Sequence, residues 1–530
     1  MKGFWLPLSF VLFLSVPVIS QDNDAIKYAS TINTSELKEY LEVIAADSME
    51  GRLTGERGQK KAGRYIAENF KISEVPPGFI TDTGSSYFQQ FNLYKKTWEE
   101  SYIKIKGKRK DFLKDFYIIG SPDFSNETEV EAKFLGYGID EKNYSDYEGA
   151  DVRNKAVVVF MGEPKDKNEE SRITNNKEKY QLADSWQKKA MIAKEKGARA
   201  IFLVKASTDE GFQQDLNLHR CFLEQAAISV AASKNVVTSN VFFIPPSLAA
   251  EIFNMSTEDF LNLRKKTGEK GVAGYKKVKS SRITIKASRK EILFSTENVL
   301  GFIEGSDKKD EVVIVTAHYD HEGIKCGQIY NGADDDGSGT VAIMEIAEAF
   351  ALAKKEGKGP RRSLLFMAVT AEEKGLLGSA YYVENPVFPL SNTVANLNID
   401  MIGRLDHAHE KNENYVYLIG SDKLSSRLHS ISEEVNKSYT QLQIDYTYNN
   451  ENDPNKFYYR SDHYNFAKNN IPVIFYFTGV HDDYHMPTDD IDKILFHKVE
   501  KIARLVFHTA WELANMEQKI EADKVSKERD

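Results

Sequence analysis

The chain has 530 residues, of which 41% are hydrophobic and 28% charged, an ordinary balance for a globular protein that is too long for one small core. Its formal net charge is −9 and the sequence contains no basic stripe. These features argue against nucleic acid as a partner.

The first 20 residues have the composition of a secretory signal peptide. Lys2 precedes a short apolar run, which ends at a polar segment after Ser20. This pattern predicts cleavage after Ser20 and export to the periplasm or to the extracellular space. The run is too short for a membrane anchor, and no later stretch is expected to span a bilayer. The only cysteines are Cys221 and Cys326, so one disulfide is possible and the sequence leaves their pairing open.

Residues 21–117 are predicted to form the N-terminal part of the main domain. Apolar residues at helical spacing predict amphipathic helices at 35–45 and 59–70. Alternating apolar and polar residues at 86–118 predict strands.

Residues 118–290 have a different pattern and carry no catalytic motif of their own. A loop leads into an apolar strand over Asp146–Met161, and Lys188–Val204 holds a helix, a glycine stop and a second strand. The pattern predicts an inserted α+β module. Its Asp-Tyr-x-Gly-x-Asp-Val-x-x-Lys-x-Val-Val-Val and Ala-x-x-x-Gly-Ala-x-Ala motifs resemble the protease-associated domain that is inserted in many secreted peptidases.

Residues 291–517 alternate regularly between strands and helices. Strands are predicted at 312–316, 363–370, 395–399, 415–419 and 472–477, and helices at 338–355, 422–437 and 496–517. Such alternation is typical of an α/β fold in which helices sandwich a mixed, largely parallel sheet. We expect residues 518–530 to form a disordered charged tail.

Five polar features fall at the C-terminal ends of predicted strands or in the loops that follow them. They are the His318–Asp320 segment, the Asp334–Asp336 run, the Glu372–Glu373 pair, Asp400 and His485. Open α/β sheets build their sites at this edge. Two imidazoles and several carboxylates suit zinc or a similar divalent ion. Each feature alone also has a structural interpretation, as a helix-capping loop, a solvated glutamate pair or a packed histidine.

Taken together, the motifs resemble those of the co-catalytic zinc aminopeptidases, whose superfamily includes leucyl aminopeptidases, glutamate carboxypeptidases and glutaminyl cyclases. The resemblance rests on His-x-Asp, Gly-Ala-Asp-Asp-x-x-Ser-Gly, Ala-Glu-Glu-x-Gly-Leu-x-Gly-Ser, Asp-Met and His-x-Pro-x-Asp, which occur in the order of that family. It covers residues 296–515 or so. It implies the zinc exopeptidase fold and two divalent metal ions, with zinc as the expected metal.

The resemblance also implies a metal ligand at each matching position. His318 and Asp400 would bind one ion, and Glu373 and His485 would bind the other. Asp335, the middle residue of the aspartate run, would bridge the two ions. In the resembling enzymes a cis peptide bond follows the bridging aspartate, which implies one between Asp335 and Asp336 here.

Three further roles follow from the same resemblance. Glu372 would be the general base that takes a proton from the metal-bridging water, rather than a ligand. Asp320 would hydrogen-bond the His318 ring and fix its tautomer. A tyrosine that helps to bind the tetrahedral intermediate is assigned by spacing to Tyr458, with Tyr459 as the rival and a packed aromatic ring as the structural alternative.

The favoured function is that of an exported di-zinc metallo-aminopeptidase, which hydrolyses N-terminal residues from peptides with a free N-terminus. A glutaminyl cyclase on the same fold remains an alternative. So does a carboxypeptidase acting on acidic dipeptides, in which Arg404 and Arg460 would face the substrate carboxylate. A non-enzymatic, receptor-like relative is disfavoured because every ligand position is filled. The sequence leaves the preferred P1 residue, the metal used in the cell and the oligomeric state open.

Overall fold

A computed structural model of the protein describes residues 21–81, 84–230 and 240–524. The predicted signal peptide, residues 1–20, lies outside the described residues, as does the end of the predicted tail at 525–530. None of the helices in the described ranges is both long enough and apolar enough to cross a membrane.

Strands and helices are numbered here in chain order. The strands are β1 (Phe79–Thr81), β2 (Gly84–Ser86), β3 (Phe88–Trp98), β4 (Tyr102–Ile105), β5 (Lys108–Asp111), β6 (Tyr117–Ile119), β7 (Phe124–Phe134), β8 (Asp140–Glu141), β9 (Tyr144–Ser145), β10 (Ala156–Phe160), β11 (Ala200–Val204), β12 (Ala227–Ser229), β13 (Val241–Phe243), β14 (Ser281–Ala287), β15 (Arg289–Ile303), β16 (Lys308–His318), β17 (Gly323–Lys325), β18 (Gln328–Tyr330), β19 (Arg362–Val369), β20 (Thr393–Ile399), β21 (Tyr415–Ile419), β22 (Gln443–Asp445) and β23 (Val473–Phe477). The α-helices are α1 (Asn23–Ala29), α2 (Thr34–Ile44), α3 (Arg57–Ile72), α4 (Trp186–Glu195), α5 (Asp209–Glu224), α6 (Pro246–Ile252), α7 (Thr257–Lys270), α8 (Gly339–Lys355), α9 (Leu377–Glu384), α10 (Ser426–Val435), α11 (His463–Ala467) and α12 (Phe496–Asn515).

The chain divides into two compact units. Residues up to Asn92 join those from Ser295 onward in the first unit, and Leu93–Phe294 form the second. In the first unit the main sheet runs in the order β3-β15-β19-β16-β20-β23-β21-β22. Strands β19, β16, β20 and β23 are parallel to their neighbours in that series, while β15 and β21 are antiparallel. The prediction of an α/β fold with a mixed, largely parallel sheet is confirmed.

The sheet of the first unit is buried on both faces. Alternate residues of β16 and β19 belong to different cores, because successive side chains of a strand point to opposite sides. Val313, Val315 and Leu364 lie in the core beneath α8 and α12, whereas Ile314 and Leu365 lie in the core of the other face, beside α11. Strands covered on both sides require continuous apolar runs, and these two strands have them.

The second unit has a separate sheet in the order β5-β4-β14-β7-β10-β11-β13-β6, with its own apolar cores on both faces. It begins earlier than the predicted module boundary at 118. Strand β4 pairs with β14, and β6 pairs with β13, so that the strands between 102 and 119 belong to this sheet. Local alternation cannot reveal a partner strand more than 100 residues away. The resemblance to a protease-associated domain stays a prediction.

The prediction of a disordered tail from residue 518 is wrong for its described part. Ile520 is buried at 3% exposure. Asp523 accepts a hydrogen bond of 2.8 Å from the backbone N–H of Ser426 at the start of α10. The charged composition of this segment gave no sign that Ile520 is buried or that Asp523 caps a helix.

Candidate metal centre

The predicted ligands meet at one edge of the main sheet. His318 is the last residue of β16, Asp400 follows β20 directly, and Glu373 comes four residues after the end of β19. His485 lies in the loop after β23, and Asp335 lies in the turn before α8. Because β16, β19, β20 and β23 are parallel, their carboxyl ends converge, as expected for the site of an open α/β sheet.

The five side chains form two groups that share Asp335. In the first group, His318 Nε2 lies 3.2 Å from Asp335 Oδ1 and 3.6 Å from Asp400 Oδ1. In the second, His485 Nε2 lies 3.0 Å from Asp335 Oδ2 and 3.2 Å from Glu373 Oε2. Ligands about 2.0–2.1 Å from a tetrahedral zinc ion are roughly 3.3 Å from one another. The donor set and its spacing therefore fit two divalent ions bridged by Asp335.

The three consecutive aspartates have three different surroundings. Asp334 accepts a hydrogen bond of 2.6 Å from the backbone N–H of Gly403. Asp336 accepts hydrogen bonds from the backbone N–H groups of His318 and Met401, at 3.1 Å each. Both carboxylates thus tie the turn to neighbouring segments, and Asp335 alone directs one oxygen to each group. The peptide bond between Asp335 and Asp336 is cis, as the resemblance implied.

Asp489 holds this turn from the opposite side. Its carboxylate accepts hydrogen bonds from the backbone N–H groups of Asp334 and Asp335, at 3.1 to 3.2 Å. Burial and the charge of Asp334 raise the pKa of Asp489 to about 6. This aspartate closes the His-x-Pro-x-Asp motif, and the sequence alone assigned it no role.

In the second group, contacts between His485, Asp335 and Glu373 favour the charged form of each side chain. Burial opposes a charge on the His485 ring, but hydrogen bonds to Asp335 and Glu373 outweigh it and raise the pKa of His485 to about 10. Burial would raise the pKa of Glu373, but His321 and His485 outweigh it and lower that pKa well below the ordinary value. Metal binding requires the neutral imidazole, so a divalent ion bound here would displace the His485 proton.

Glu372 lies beside the first group. Its Oε2 is 4.0 Å from His318 Nε2, and its side chain lines a small open cavity together with Asp335 and Asp400. Burial, with the charges of Asp400 and Glu373, raises the pKa of Glu372 well above its ordinary value. A carboxylate in this position can exchange a proton with a water or substrate in the cavity.

Asp320 contacts the His318 ring through its backbone, and not through its side chain as the resemblance implied. The His318 ring nitrogen Nδ1 lies 3.1 Å from the backbone oxygen of Asp320. The Asp320 carboxylate oxygen Oδ1 is farther from the same nitrogen, at 3.9 Å. That carboxylate accepts hydrogen bonds from the hydroxyl of Thr54, at 2.6 Å, and from the backbone N–H of Glu372, at 3.2 Å. Asp320 therefore fixes the His318 ring through its backbone and positions Glu372 through its side chain.

The predicted role of Tyr458 stays a prediction, and Tyr458 is not among the described residues that line the cavity. Tyr458 packs against Gly420, where an added Cβ would lie 3.1 Å from the Tyr458 ring.

The tyrosine that lines the cavity is Tyr484, whose ring stacks on His485 with centroids 3.9 Å apart. Spacing from the Ser-Asp-His motif cannot show which way a ring in a short helical turn points. Tyr484 is marked in the sequence only by its place next to a ligand.

Two other residues that the sequence analysis missed contact the ligands. His321 Nδ1 lies 2.9 Å from Glu373 Oε1. The hydroxyl of Ser461 donates a hydrogen bond of 2.7 Å to Asp400 Oδ2. Both lie close to motif residues in the sequence, His321 directly after His-x-Asp and Ser461 in Ser-Asp-His, and that proximity was the available signal.

The sheet and the shared-aspartate cluster at its edge have the architecture of the co-catalytic zinc exopeptidases. Comparison with known proteins points to the same class. Residues 298–510, less than half of the chain, match the model of peptidase family M28.

Curated relatives match a short part of the chain. A probable glutamate carboxypeptidase LAMP1 of Arabidopsis thaliana is 39% identical over 110 residues, which are 21% of this chain and 15% of that protein. Aminopeptidase NAALADL1 of Mus musculus is 34% identical over 123 residues, 23% of this chain and 16% of that protein. The chain thus spans about one sixth of the length of these relatives.

Solved structures match most of the chain. The aminopeptidase from Aneurinibacillus sp. strain AM-1 is 17% identical, with a TM-score of 0.53, over 95% of this chain and 98% of that one. The zinc aminopeptidase BSAP from Bacillus subtilis is 18% identical, with a TM-score of 0.52, over 93% and 98%. At this identity the likeness shows the fold.

Proposed function

We propose that this chain is an exported di-zinc aminopeptidase that removes N-terminal residues from peptides. The observation that carries the proposal is Asp335, which directs one oxygen to each of two ligand groups while Glu372 lines the cavity beside them. Export is supported by the apolar segment that ends near Ser20.

The residues would divide the work as follows. His318 and Asp400 would hold one ion, Glu373 and His485 the other, and Asp335 both. When bound, two such ions polarise a scissile carbonyl and make water a nucleophile near neutral pH. Glu372 would accept the proton of the attacking water and return it to the leaving amine. Its orientation depends on Asp320, whose carboxylate accepts the Glu372 backbone N–H.

The arginines near the cavity argue against a substrate with a terminal carboxylate. The polar residues Asp335, Glu372 and Asp400 that line the cavity are already assigned to the ions and to proton transfer. A carboxypeptidase would need an arginine cluster, but Arg404 is engaged by Asp483, at 2.9 Å. Of the two arginines in question, only Arg460 lines the cavity.

The remaining walls of the cavity are apolar. Met401, Phe457, Phe475, Phe477 and Val480 form them. An apolar side chain of the substrate would lose its contact with water here, and burying it contributes about 1.5–3 kcal/mol. We therefore expect a preference for apolar P1 residues over charged ones.

One assay separates the candidate activities. The protein would be offered leucyl, phenylalanyl, aspartyl and lysyl anilides, N-terminal glutaminyl peptides and peptides ending in glutamate, with and without a chelator. We expect the apolar anilides to be cleaved fastest and chelation to abolish cleavage. Release of C-terminal glutamate would favour the carboxypeptidase, and cyclisation of glutaminyl peptides would favour the cyclase; either result without anilide cleavage would contradict the proposal.

A further inference from the structure

His321 is a buried imidazole at the second ligand group, and the proposed mechanism does not use it. Its side chain has 0% exposure. Nδ1 lies 2.9 Å from Glu373 Oε1 and 3.8 Å from Asp335 Oδ2. Within the described residues neither ring nitrogen has a partner in full hydrogen-bond geometry, and neither does Glu373 Oε1, so the 2.9 Å pair is a close polar contact. A polar ring buried at this position is costly unless the contact to Glu373 compensates for it.

The two oxygens of Glu373 face different histidines. Oε2 lies 3.2 Å from His485 Nε2, on the side of Asp335, while Oε1 faces His321. The rings of His321 and His485 are 5.8 Å apart between centroids, with the Glu373 carboxylate in contact with both. His321 therefore meets the outer oxygen of this ligand, and His485 shares the inner one.

We infer that His321 is the positioning residue of Glu373: its Nδ1, 2.9 Å from Oε1, holds the outer oxygen in place and so keeps Oε2 directed at the second metal ion. A carboxylate ligand that is hydrogen-bonded through its outer oxygen keeps one orientation and one coordinating atom. This inference rests on the proposed two-metal site. His318 would bind one ion, and His321, three residues later, would position the ligand of the other.

The fold leaves the His321 ring little freedom to turn. A Cβ at Gly332 would lie 2.5 Å from the ring atoms Cγ and Cδ2, so only a glycine allows the backbone to approach so closely. The backbone N–H of His321 donates to the oxygen of Arg52, at 3.2 Å. The Arg52 guanidinium, itself buried, donates to the Gly332 oxygen at 2.9 Å. The segment carrying His321 and the segment against its ring are thus joined through one arginine.

Zinc binding tests the inference directly. Metal-free protein would be titrated with zinc against a competing chelator, as wild type, His321→Leu and His321→Asn, with His508→Leu as a control for loss of a buried imidazole on α12. We expect His321→Leu to weaken one of the two sites by about 10- to 100-fold and to leave the other within about threefold. Asparagine has the shape of leucine and an N–H near the position of Nδ1, so His321→Asn should retain most of the lost affinity.

A spectroscopic readout accompanies the titration. With cobalt in place of zinc, His321→Leu should change the visible absorption of one of the two ions, and His508→Leu should change neither. If His321→Leu does not fold, His321→Ala serves as the variant without a donor.

The inference is overturned if both affinities are unchanged in the leucine or alanine variant, or if asparagine weakens the site as much as leucine does. A wild type that binds a single ion would overturn it together with the two-metal proposal. A wild type that binds two ions and cleaves no peptide would refute the proposed activity, and the affinities of the variants would still decide the role of His321.

Discussion

Glu372 and Glu373 are adjacent in the chain, and their contacts separate their roles. Glu373 lies between His321 and His485, whose contacts hold its pKa well below the ordinary value. Glu372 faces the cavity with His318 Nε2 at 4.0 Å, and burial outweighs that contact and raises the pKa of Glu372 well above the ordinary value. The first is suited to permanent ionisation as a ligand, the second to taking up a proton.

Replacing Glu372 by glutamine should leave two zinc ions per chain and remove most of the activity. Glutamine keeps the shape of the side chain but cannot act as a base, and a general base contributes roughly 10²- to 10⁴-fold in rate. Metal analysis and kcat with a leucyl anilide would be measured together, with Glu384→Gln, an exposed glutamate of α9, as the control. Loss of one ion in the Glu372 variant would show instead that Glu372 is a ligand.

Tyr484→Phe should lower kcat by about 10- to 100-fold, and Tyr458→Phe should change it little, because removing a hydrogen-bond donor to a developing oxyanion costs in this range or more. The Tyr484 hydroxyl accepts a hydrogen bond of 3.2 Å from Arg460, which leaves its own proton to donate into the cavity. Burial raises its pKa above the ordinary value, so it stays protonated at any working pH. Equal losses of kcat in both variants would show that Tyr458 also takes part in catalysis.

At the scale of elements, α8 joins the centre to the helical layer. Its first residue, Gly339, donates its N–H to Asp336, at 2.9 Å. Further along, Glu345 is buried at 2% exposure, next to Glu36 of α2 and Glu348 of α8. Burial, together with those two charges, raises the pKa of Glu345 to about 9. This helix therefore carries a protonated carboxyl group at neutral pH.

The Glu345 carboxyl group should make the protein less stable as pH rises. It keeps its proton to about pH 9 in the folded chain, whereas an unfolded chain releases it near pH 4.3. The folded state binds more protons between these values, so stability falls with rising pH across that window. Each pKa unit corresponds to about 1.4 kcal/mol, and pH 8 lies roughly 3.7 units above the unfolded pKa. Glu345→Gln should therefore gain up to about 5 kcal/mol of stability over wild type between pH 4 and pH 8.

Thermal unfolding between pH 4 and pH 8 would measure this difference. Glu42→Gln, which alters an exposed glutamate of α2, is the matched control. Parallel pH profiles for the wild type and Glu345→Gln would show that Glu345 is ionised in the folded protein at neutral pH.

At the scale of the whole molecule, every predicted ligand lies in the first unit. The second unit, Leu93–Phe294, has its own sheet and its own apolar cores. A ligand stabilises only the folded state to which it binds. Metal binding should therefore stabilise the first unit and leave the intrinsic stability of the second unchanged.

Chelation should lower one calorimetric transition of the full chain and leave a second in place. At a free metal concentration a hundred times Kd, each bound ion contributes about 2.7 kcal/mol to the unit that holds it. Adding zinc back should restore the first transition. Equal shifts of all transitions on chelation would contradict the assignment of the metals to one unit.

The sequence by itself determined the elements of the sheet and the chemical type of the site. Strand β19 was predicted at 363–370 and lies at Arg362–Val369, and β23 was predicted at 472–477 and lies at Val473–Phe477. A strand covered on both faces must be a continuous apolar run, which is visible locally. Polar residues directly after such runs must share one edge of a parallel sheet, so the histidines and carboxylates could be grouped without a structure.

The tertiary structure alone decided which atoms meet. The direction of a side chain after a strand depends on the turn that carries it, which set the Asp320 carboxylate towards Thr54 and placed Tyr484 rather than Tyr458 at the cavity. The contact of His321 with Glu373 joins segments about 50 residues apart. The start of the second unit depends on strand pairings across more than 100 residues. Such long-range contacts form only when the whole chain folds, because no local pattern of residues encodes the partner.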